Sequence, residues 1–491
     1  MLNVLQETVL LSPIYFMVLF ACLTLCFNLG ARNFVNNSLL SLLLWRFSLA
    51  VLVFEFLLIL NLYLYFLYYL SEVYVYKDLF FFDTFVFFLQ LFLIFVFLVI
   101  HVVSYSYNLT YKILVPEFIF LCFMSTVGSL LLISSNAFAS TYLSLELQTL
   151  PLYILISFFK NNKKSLEAGL KYFVLSIVAS MIMVFGFALL YSVTGVASYS
   201  DLHVFIEFAV VTFFRDPSYI VYKLCIFLGV FLIFITISFK LGVIPAYFWV
   251  PEVYDAAPVS VVNFVATVPK IASFGFFITF YSYVLSSLFS PAKIIILFVG
   301  LSSIIIGAIG AVYYSKLSKI IAFSGVGQLG FIYLVLACPS DGVVIIATFY
   351  LAVYIFALLL FFTVWLNLEP ICETSATIFD LIGLSAQHYS HKVFFSVAVL
   401  SLAGMPPLAG FLSKLLILKC LVAGYSVVFT VIVLFISAIS FVYYLRFLKV
   451  IFFSKSELTV VFSRLLDTSS TFYGVFLTSI LFILPVFFFF L

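Results

Sequence analysis

The sequence predicts an all-α polytopic membrane protein. Three observations carry that prediction. The 491 residues are 66% hydrophobic and only 8% charged, against about 25% charged residues in an ordinary soluble domain. Mean hydropathy is +1.34, so the chain lacks the polar surface needed to cover itself in water. Apolar stretches long enough to cross a bilayer, about 20 residues each, recur from one end to the other between polar, proline and glycine punctuation.

Taken in order, the stretches are 10–31, 39–70, 79–104, 113–133, 137–159, 166–195, 220–250, 256–289, 291–314, 318–338, 342–367, 391–423, 425–453 and 470–491, about fourteen helices. The second is longer than a perpendicular crossing needs, which implies tilt or an extension beyond the lipid. Loop charge orients the set, because Lys and Arg accumulate on the cytoplasmic or matrix side. Arg32, Lys112, Lys160, Lys163, Lys164, Lys316, Lys319, Lys392, Lys449, Lys455 and Arg464 fall on one side and Lys77, Arg215 and Lys293 on the other, and the ambiguous Lys171, Lys223, Lys419 and Arg446 would not reverse the balance. The richer side is expected to face the cytoplasm or matrix, with both termini opposite.

The composition excludes several classes. A formal charge of +3 on so few charged residues gives no basic stripe for nucleic acid. The seven cysteines (Cys22, Cys26, Cys122, Cys225, Cys338, Cys372, Cys420) form no C-x-x-C pair and have no histidine at ligand spacing, so no disulfide scaffold, zinc site or iron-sulfur ligation is expected. No G-x-G-x-x-G motif is present, and Gly325-Val326-Gly327 reads as close helix packing. The first 31 residues hold Glu7 and no Lys or Arg, which is neither a transit nor a signal peptide pattern.

The charges left inside the apolar stretches point to function. Arg46, Lys240, Lys270 and Lys414 lie well within spans, and Glu146 sits about ten residues into its own, near mid-membrane at ~1.5 Å per residue. Glu55 and Asp83 are acids nearer the membrane faces. An ionised lysine at the bilayer centre costs at least ~2.5 kcal/mol, so such groups pair or face a hydrated cavity. A lysine beside a glutamate can change protonation as their separation changes, which a proton relay requires. A fixed ion pair or a snorkelling side chain is the plainer alternative. Proline adds a second line. Pro245 and Pro251 follow Lys240, Pro258 and Pro269 flank the next stretch, and Pro406 and Pro407 precede Lys414. Proline removes a backbone donor, and at membrane depth the freed carbonyls are tolerated only against protein or water. Interrupted helices mark transport sites, and here they coincide with lysines.

At these segments the sequence resembles a known family. FKLGVIPAYFWVPEVYDAAPVSVVNFVATVPK (239–270) is similar to the seventh and eighth helices of the antiporter-like subunits of respiratory complex I, NADH:ubiquinone oxidoreductase, and its VPK ending is similar to the subunit 2 branch. SLAGMPPLAGFLSK (401–414) resembles the twelfth helix of that family. SLELQTLPLYIL (144–155), KSLEAGLKYFVLS (164–176) and SKIIAFSGVGQLGFIYL (318–334) resemble the fifth, sixth and tenth. The likeness runs from about residue 140 to 453, whereas the first ~130 residues match in helix count and in FDTF at Asp83 alone.

The resemblance implies fourteen helices with two inverted five-helix repeats, each holding a broken helix. The divisions are then three N-terminal helices (1–112), a first repeat (113–289), a second repeat (290–453) and a last helix (454–491). It implies proton translocation coupled to quinone reduction elsewhere in a complex. By the same resemblance, Glu146 is expected to pair with Lys240, with Lys270 as the central lysine and Lys414 as the outlet lysine of a hydrated axis and helix breaks at Pro245, Pro406 and Pro407. Two positions depart from the pattern. Tyr247 and Gln328 stand where many relatives carry histidine, and they can orient water but do not readily hold a proton. The four histidines (His101, His203, His388, His391) lie elsewhere. Lys319 aligns with a basic residue of the family.

The chain is expected to hold no cofactor, the flavin and iron-sulfur clusters belonging to other subunits. Its expected partners are other membrane-arm subunits and phospholipid, including cardiolipin, with no nucleic acid. The 66 Phe and 31 Tyr suit an AT-rich organellar genome, which points to the mitochondrial inner membrane, with a bacterial plasma membrane as the alternative. An Mrp-type cation/proton antiporter subunit and a purely structural subunit with static ion pairs are the competing functional readings.

Overall fold

A computed structural model describes residues 7–31, 37–69, 72–111, 113, 115–212, 220–286, 290–339, 342–368, 377–385, 389–453 and 474–482. Arg32, Lys112, Arg215, Cys372, His388, Lys455, Arg464 and most of the expected last span lie outside the described residues. The chain is mostly helical. Ten helices among the described residues are long and apolar enough to cross a membrane.

The chain divides into two compact units. The first comprises 1–102, 112–241 and 264–292, and the second 103–111, 242–263 and 293–491. The first begins with α1 (Ser12–Ala31) and α2 (Asn37–Tyr69). An antiparallel hairpin comes next, β1 (Glu72–Val75) with β2 (Phe80–Asp83), in register Glu72 to Asp83 and Val75 to Phe80. Tyr76, Lys77 and Asp78 turn it with positive φ of 52° to 66°. Asp83 caps α3 (Thr84–Val103), its Oδ1 accepting from the Val86 amide at 2.6 Å. This is a helix N-cap, so Asp83 has a local structural task.

Two helix pairs in this unit position its buried lysines. The hairpin of α5 (Pro116–Ser134) and α6 (Phe138–Ile156) is close-packed: Ser125 Oγ donates to the Gln148 carbonyl at 3.1 Å, and Gly128 lies against the Gln148 backbone. The second pair is α7 (Lys163–Thr194) and α9 (Ile220–Leu241), with the shorter α8 (Tyr199–Thr212) between them in sequence. Helices in lipid gain little from hydrophobic burial and instead associate through small residues and interhelical hydrogen bonds. Here Gly186 and Gly229 face each other so closely that a Cβ on Gly186 would stand 2.9 Å from the Gly229 carbonyl oxygen. Farther along α9, and correspondingly farther back along α7, Thr236 Oγ1 donates to the Ala179 carbonyl at 3.1 Å. The helices therefore run antiparallel in fixed register, and the next rung brings Lys240 to Ser176.

The second unit takes the short α4 (Tyr105–Thr110) and the broken-helix piece α10 (Trp249–Ala256). Helix α11 (Val259–Phe280), ended by a π-helical turn at Tyr281–Leu285, passes from this unit into the first at residues 263–264. The second unit continues with α12 (Ser290–Tyr313), α13 (Leu317–Ala337), α14 (Val343–Leu368) and a 3₁₀ turn at Ile378–Ser385. It then holds α15 (Tyr389–Ala403), α16 (Ala409–Gly424) and α17 (Val427–Phe453). Helices α12 and α13 again meet through glycine: a Cβ on Gly307 would stand 2.6 Å from the Gly327 amide nitrogen. Gly327 belongs to the Gly325-Val326-Gly327 segment, which packs helices as the sequence suggests.

The expected stretch 220–250 is interrupted after Leu241 and 391–423 after Ala403. At both places a glycine takes up the left-handed backbone, Gly242 at φ +76° and Gly404 at φ +83°. A proline follows within three residues. Such a glycine is a common helix stop, and the proline cannot resume the hydrogen-bond ladder.

Candidate functional site

Within the first unit the register of α7 and α9 carries Lys240 inward, 8% exposed. Its Nζ donates to Ser176 Oγ on α7 at 2.7 Å. Tyr153 on α6 donates its hydroxyl to the same Ser176 oxygen at 2.8 Å. Three helices thus meet at one buried hydroxyl. Glu146, also on α6 and half-buried, is close enough for its charge to act on the Lys240 amine. Among the described residues no ion pair joins the two, and the contact partner of the lysine is a serine. Lys270 on α11 is 2% exposed. Helix α6 reaches the turn that bears it, Gln148 Nε2 donating to the Pro269 carbonyl at 3.3 Å and Ser273 Oγ to the same carbonyl at 2.8 Å. One helix, α6, therefore serves the surroundings of both lysines.

The second unit builds the site of Lys414 from its helix break. In an unbroken helix the carbonyls of Leu402 and Ala403 would receive the amides four residues on. Those residues are Pro406 and Pro407, which have no N–H. Lys414 Nζ supplies the missing donors, bonding the Leu402 and Ala403 carbonyls at 2.9 Å each. The two prolines and the lysine form one device: the break frees two carbonyl oxygens inside the helices, and an amine on the next helix satisfies both. Phe331 lies beneath, its ring centroid 5.5 Å from Nζ, a cation–π distance.

Gln328 shares this site. Its Nε2 donates to the Leu402 carbonyl at 3.0 Å, the oxygen that Lys414 also uses, and to Tyr444 Oη at 3.1 Å. Tyr350 donates its hydroxyl to Gln328 Oε1. A small cavity of about 10 Å³, close to the least that holds one water, lies beside the amine, lined by Gln328, Tyr350, Tyr354, Ser401, Ser413 and Lys414 among others. Polar walls of this kind suit bound water.

The other residues selected from sequence are more dispersed. Tyr247 is half-buried in the break between α9 and α10, packed on Phe248 and 6.3 Å from the Phe323 ring. Pro245, Pro406 and Pro407 are exposed at the two breaks. Arg46 is exposed on α2. Glu55 is fully buried there, with neither carboxylate oxygen hydrogen-bonded among the described residues. Lys319 lies over the Tyr314 ring at 4.8 Å and 3.9 Å from Asp255. Asp255, on α10, accepts from Lys316 at 2.9 Å and from Ser318 Oγ at 2.9 Å, which ties the broken-helix piece to the start of α13.

Sequence reasoning missed Ser176, Tyr153, Tyr350, Tyr444 and Asp255. A serine or tyrosine in a membrane helix gives little signal, because the hydroxyl can bond its own helix or lie at the lipid boundary. Asp255 sits in a loop-like polar stretch where an acid is unremarkable.

Ten membrane-length apolar helices among the described residues define a multi-pass membrane protein. Comparison with known proteins narrows the class. A sequence profile of the family described as NADH:quinone oxidoreductase/Mrp antiporter, TM, matches residues 135–440. NADH-quinone oxidoreductase subunit N of Pelagibacter ubique is 33% identical over 355 residues, 72% of this chain and 73% of that protein. The subunit N of a Brugia malayi Wolbachia is 34% identical over 342 residues, 69% and 70% of the two chains. Two solved structures share the fold: a chain of respiratory complex I from Thermus thermophilus (TM-score 0.75, 22% identity, 96% of this chain and 98% of that one), and one of the Mrp complex from Dietzia sp. (TM-score 0.77, 18% identity, 96% and 94%). The chain belongs to the NADH:quinone oxidoreductase/Mrp antiporter membrane family.

Proposed function

We propose that this chain is a proton-translocating membrane-arm subunit of respiratory complex I, of the subunit N or subunit 2 type, with Glu146, Lys240, Lys270 and Lys414 as its proton-carrying groups. The observation that carries the proposal is Lys240: a buried amine beside a broken helix, within electrostatic reach of Glu146, in a chain one third identical to curated subunit N proteins. An intramembrane lysine is costly and is kept where its charge is used. Tyr247 and Gln328 orient water and neighbouring groups, and the breaks at Pro245, Pro406 and Pro407 open the backbone to hydration.

On this reading the redox chemistry lies in other subunits, which carry the flavin and iron-sulfur clusters. This chain contributes ion movement to NADH:ubiquinone reduction. Its partners are other membrane-arm subunits, with phospholipid such as cardiolipin filling gaps. Its place is the mitochondrial inner membrane, or the plasma membrane in a bacterial host like those of the relatives.

The test is the partner set. Affinity purification of the tagged chain from its own membrane in mild detergent is expected to bring down flavin- and iron-sulfur-containing chains together with NADH oxidation. Recovery of antiporter subunits alone, without redox chains, contradicts the complex I assignment in favour of the Mrp type.

A further inference from the structure

The contact between Lys240 and Ser176 has a chemical property that an ion pair lacks. A carboxylate can only accept, so it suits the ammonium form of lysine and leaves a neutral amine without its best partner. A hydroxyl has one hydrogen to donate and two lone pairs to accept with. Here Ser176 Oγ receives Lys240 Nζ at 2.7 Å and Tyr153 Oη at 2.8 Å. If Lys240 gives up a proton, its nitrogen gains a lone pair. The Ser176 hydroxyl can then rotate and donate to that nitrogen while it still accepts from Tyr153. The heavy atoms need not move.

The surroundings hold this arrangement in place. Ser176 is fully buried and Tyr153 is 7% exposed. The α7–α9 register is locked by the Gly186–Gly229 approach and the Thr236–Ala179 hydrogen bond. Lys414 offers the contrast: its two partners at 2.9 Å are carbonyl oxygens, which have no hydrogen to return.

We propose that Ser176 and Tyr153 are the positioning residues of Lys240, a hydroxyl pair that keeps the amine in one place in both of its protonation states and so allows it to cycle. The inference rests on the reading of Lys240 as a proton carrier. In the step, the N–H bond of the Lys240 ammonium breaks as its proton passes to a water or to Glu146, and the nitrogen's freed electron pair accepts the Ser176 hydroxyl hydrogen as a hydrogen bond. No electron changes owner.

The experiment measures protons moved per electron by the intact complex in sealed vesicles, with assembly scored from the amount of each variant chain in the purified complex. The variants are Ser176→Ala, Ser176→Thr, Tyr153→Phe and Lys240→Met. Ser176→Ala is expected to lower the protons moved per electron by most of the amount that Lys240→Met lowers it, since the lost hydrogen bond is one to a charged group. Ser176→Thr, which restores the hydroxyl, is expected to recover most of it, and Tyr153→Phe to fall between. Equal loss in Ala and Thr variants, or no loss in the Ala variant while Lys240→Met is defective, overturns the hydroxyl role and leaves the lysine reading standing. Normal translocation in Lys240→Met overturns the lysine reading itself. Should Ser176→Ala fail to assemble, Tyr153→Phe decides: unchanged translocation there contradicts the proposal.

Discussion

At the level of single residues, the lysines were legible because their cost is large. A cation in an apolar stretch must be either paired or used, and Lys240, Lys270 and Lys414 emerge from that cost alone, each at a helix break or a proline-marked turn. What the sequence could not show is who touches them. The partner of Lys240 is a serine 64 residues away on another helix, and the partners of Lys414 are backbone carbonyls, which are the same in every residue. Gln328 was selected as a departure from the family pattern, and its contacts with Leu402, Tyr444 and Tyr350 could be found only by folding the chain. A prediction at this level concerns Asp255 and Lys316, whose side chains are 16% and 33% exposed. Because solvent reaches both, a double-mutant cycle of Asp255→Asn with Lys316→Gln is expected to give a coupling of about 1 kcal/mol or less, weakening with added salt. A salt-independent coupling of several kcal/mol in thermal unfolding of the purified complex would contradict a partly solvated pair.

Among the helices, the breaks explain why proline and lysine travel together. Pro406 and Pro407 remove the amides that would have served the Leu402 and Ala403 carbonyls, and Lys414 takes their place. Replacing both prolines with alanine returns two competing donors. The double variant Pro406→Ala/Pro407→Ala is expected to loosen Lys414 and lower translocation about tenfold with assembly retained, since a hydrogen bond to a charged group is worth roughly 1.5–3 kcal/mol. Full translocation in that variant would mean the carbonyl pair does not matter. The α7–α9 register gives a second prediction. Gly186→Leu forces a side chain toward the Gly229 carbonyl, and overpacking of this kind costs about 1–3 kcal/mol; a lowered unfolding temperature checks it, and an unchanged one contradicts the glycine contact. The ten membrane-length helices were readable from hydropathy, whereas the hairpin at 72–83 and the shorter α8 were not. The hairpin's strands, EVYV and FFFD, are aromatic and apolar enough to merge with the following span, which was placed from residue 79. The split of 391–423 into α15 and α16 was likewise invisible to hydropathy, because glycine and proline interrupt the backbone without lowering the apolar content.

Taken whole, the molecule is a chain that cannot dissolve in water and that keeps a few amines in oil, on our proposal to move protons. The membrane class followed from composition, and the family from motif order between residues 140 and 453, in keeping with the profile match over 135–440. The first 130 residues carried little motif information: their spans were placed by hydropathy alone, and the hairpin and the full burial of Glu55 come from the structure. Two compact units share the lysines, Lys240 and Lys270 in the first and Lys414 in the second. The proton-carrying role of these amines is best tested by the ratio of protons translocated to electrons passed by the intact complex in sealed vesicles, with Lys240→Met against the unaltered chain. A lower ratio is expected, in a fully assembled complex that still oxidises NADH; an unchanged ratio at full assembly would refute that role.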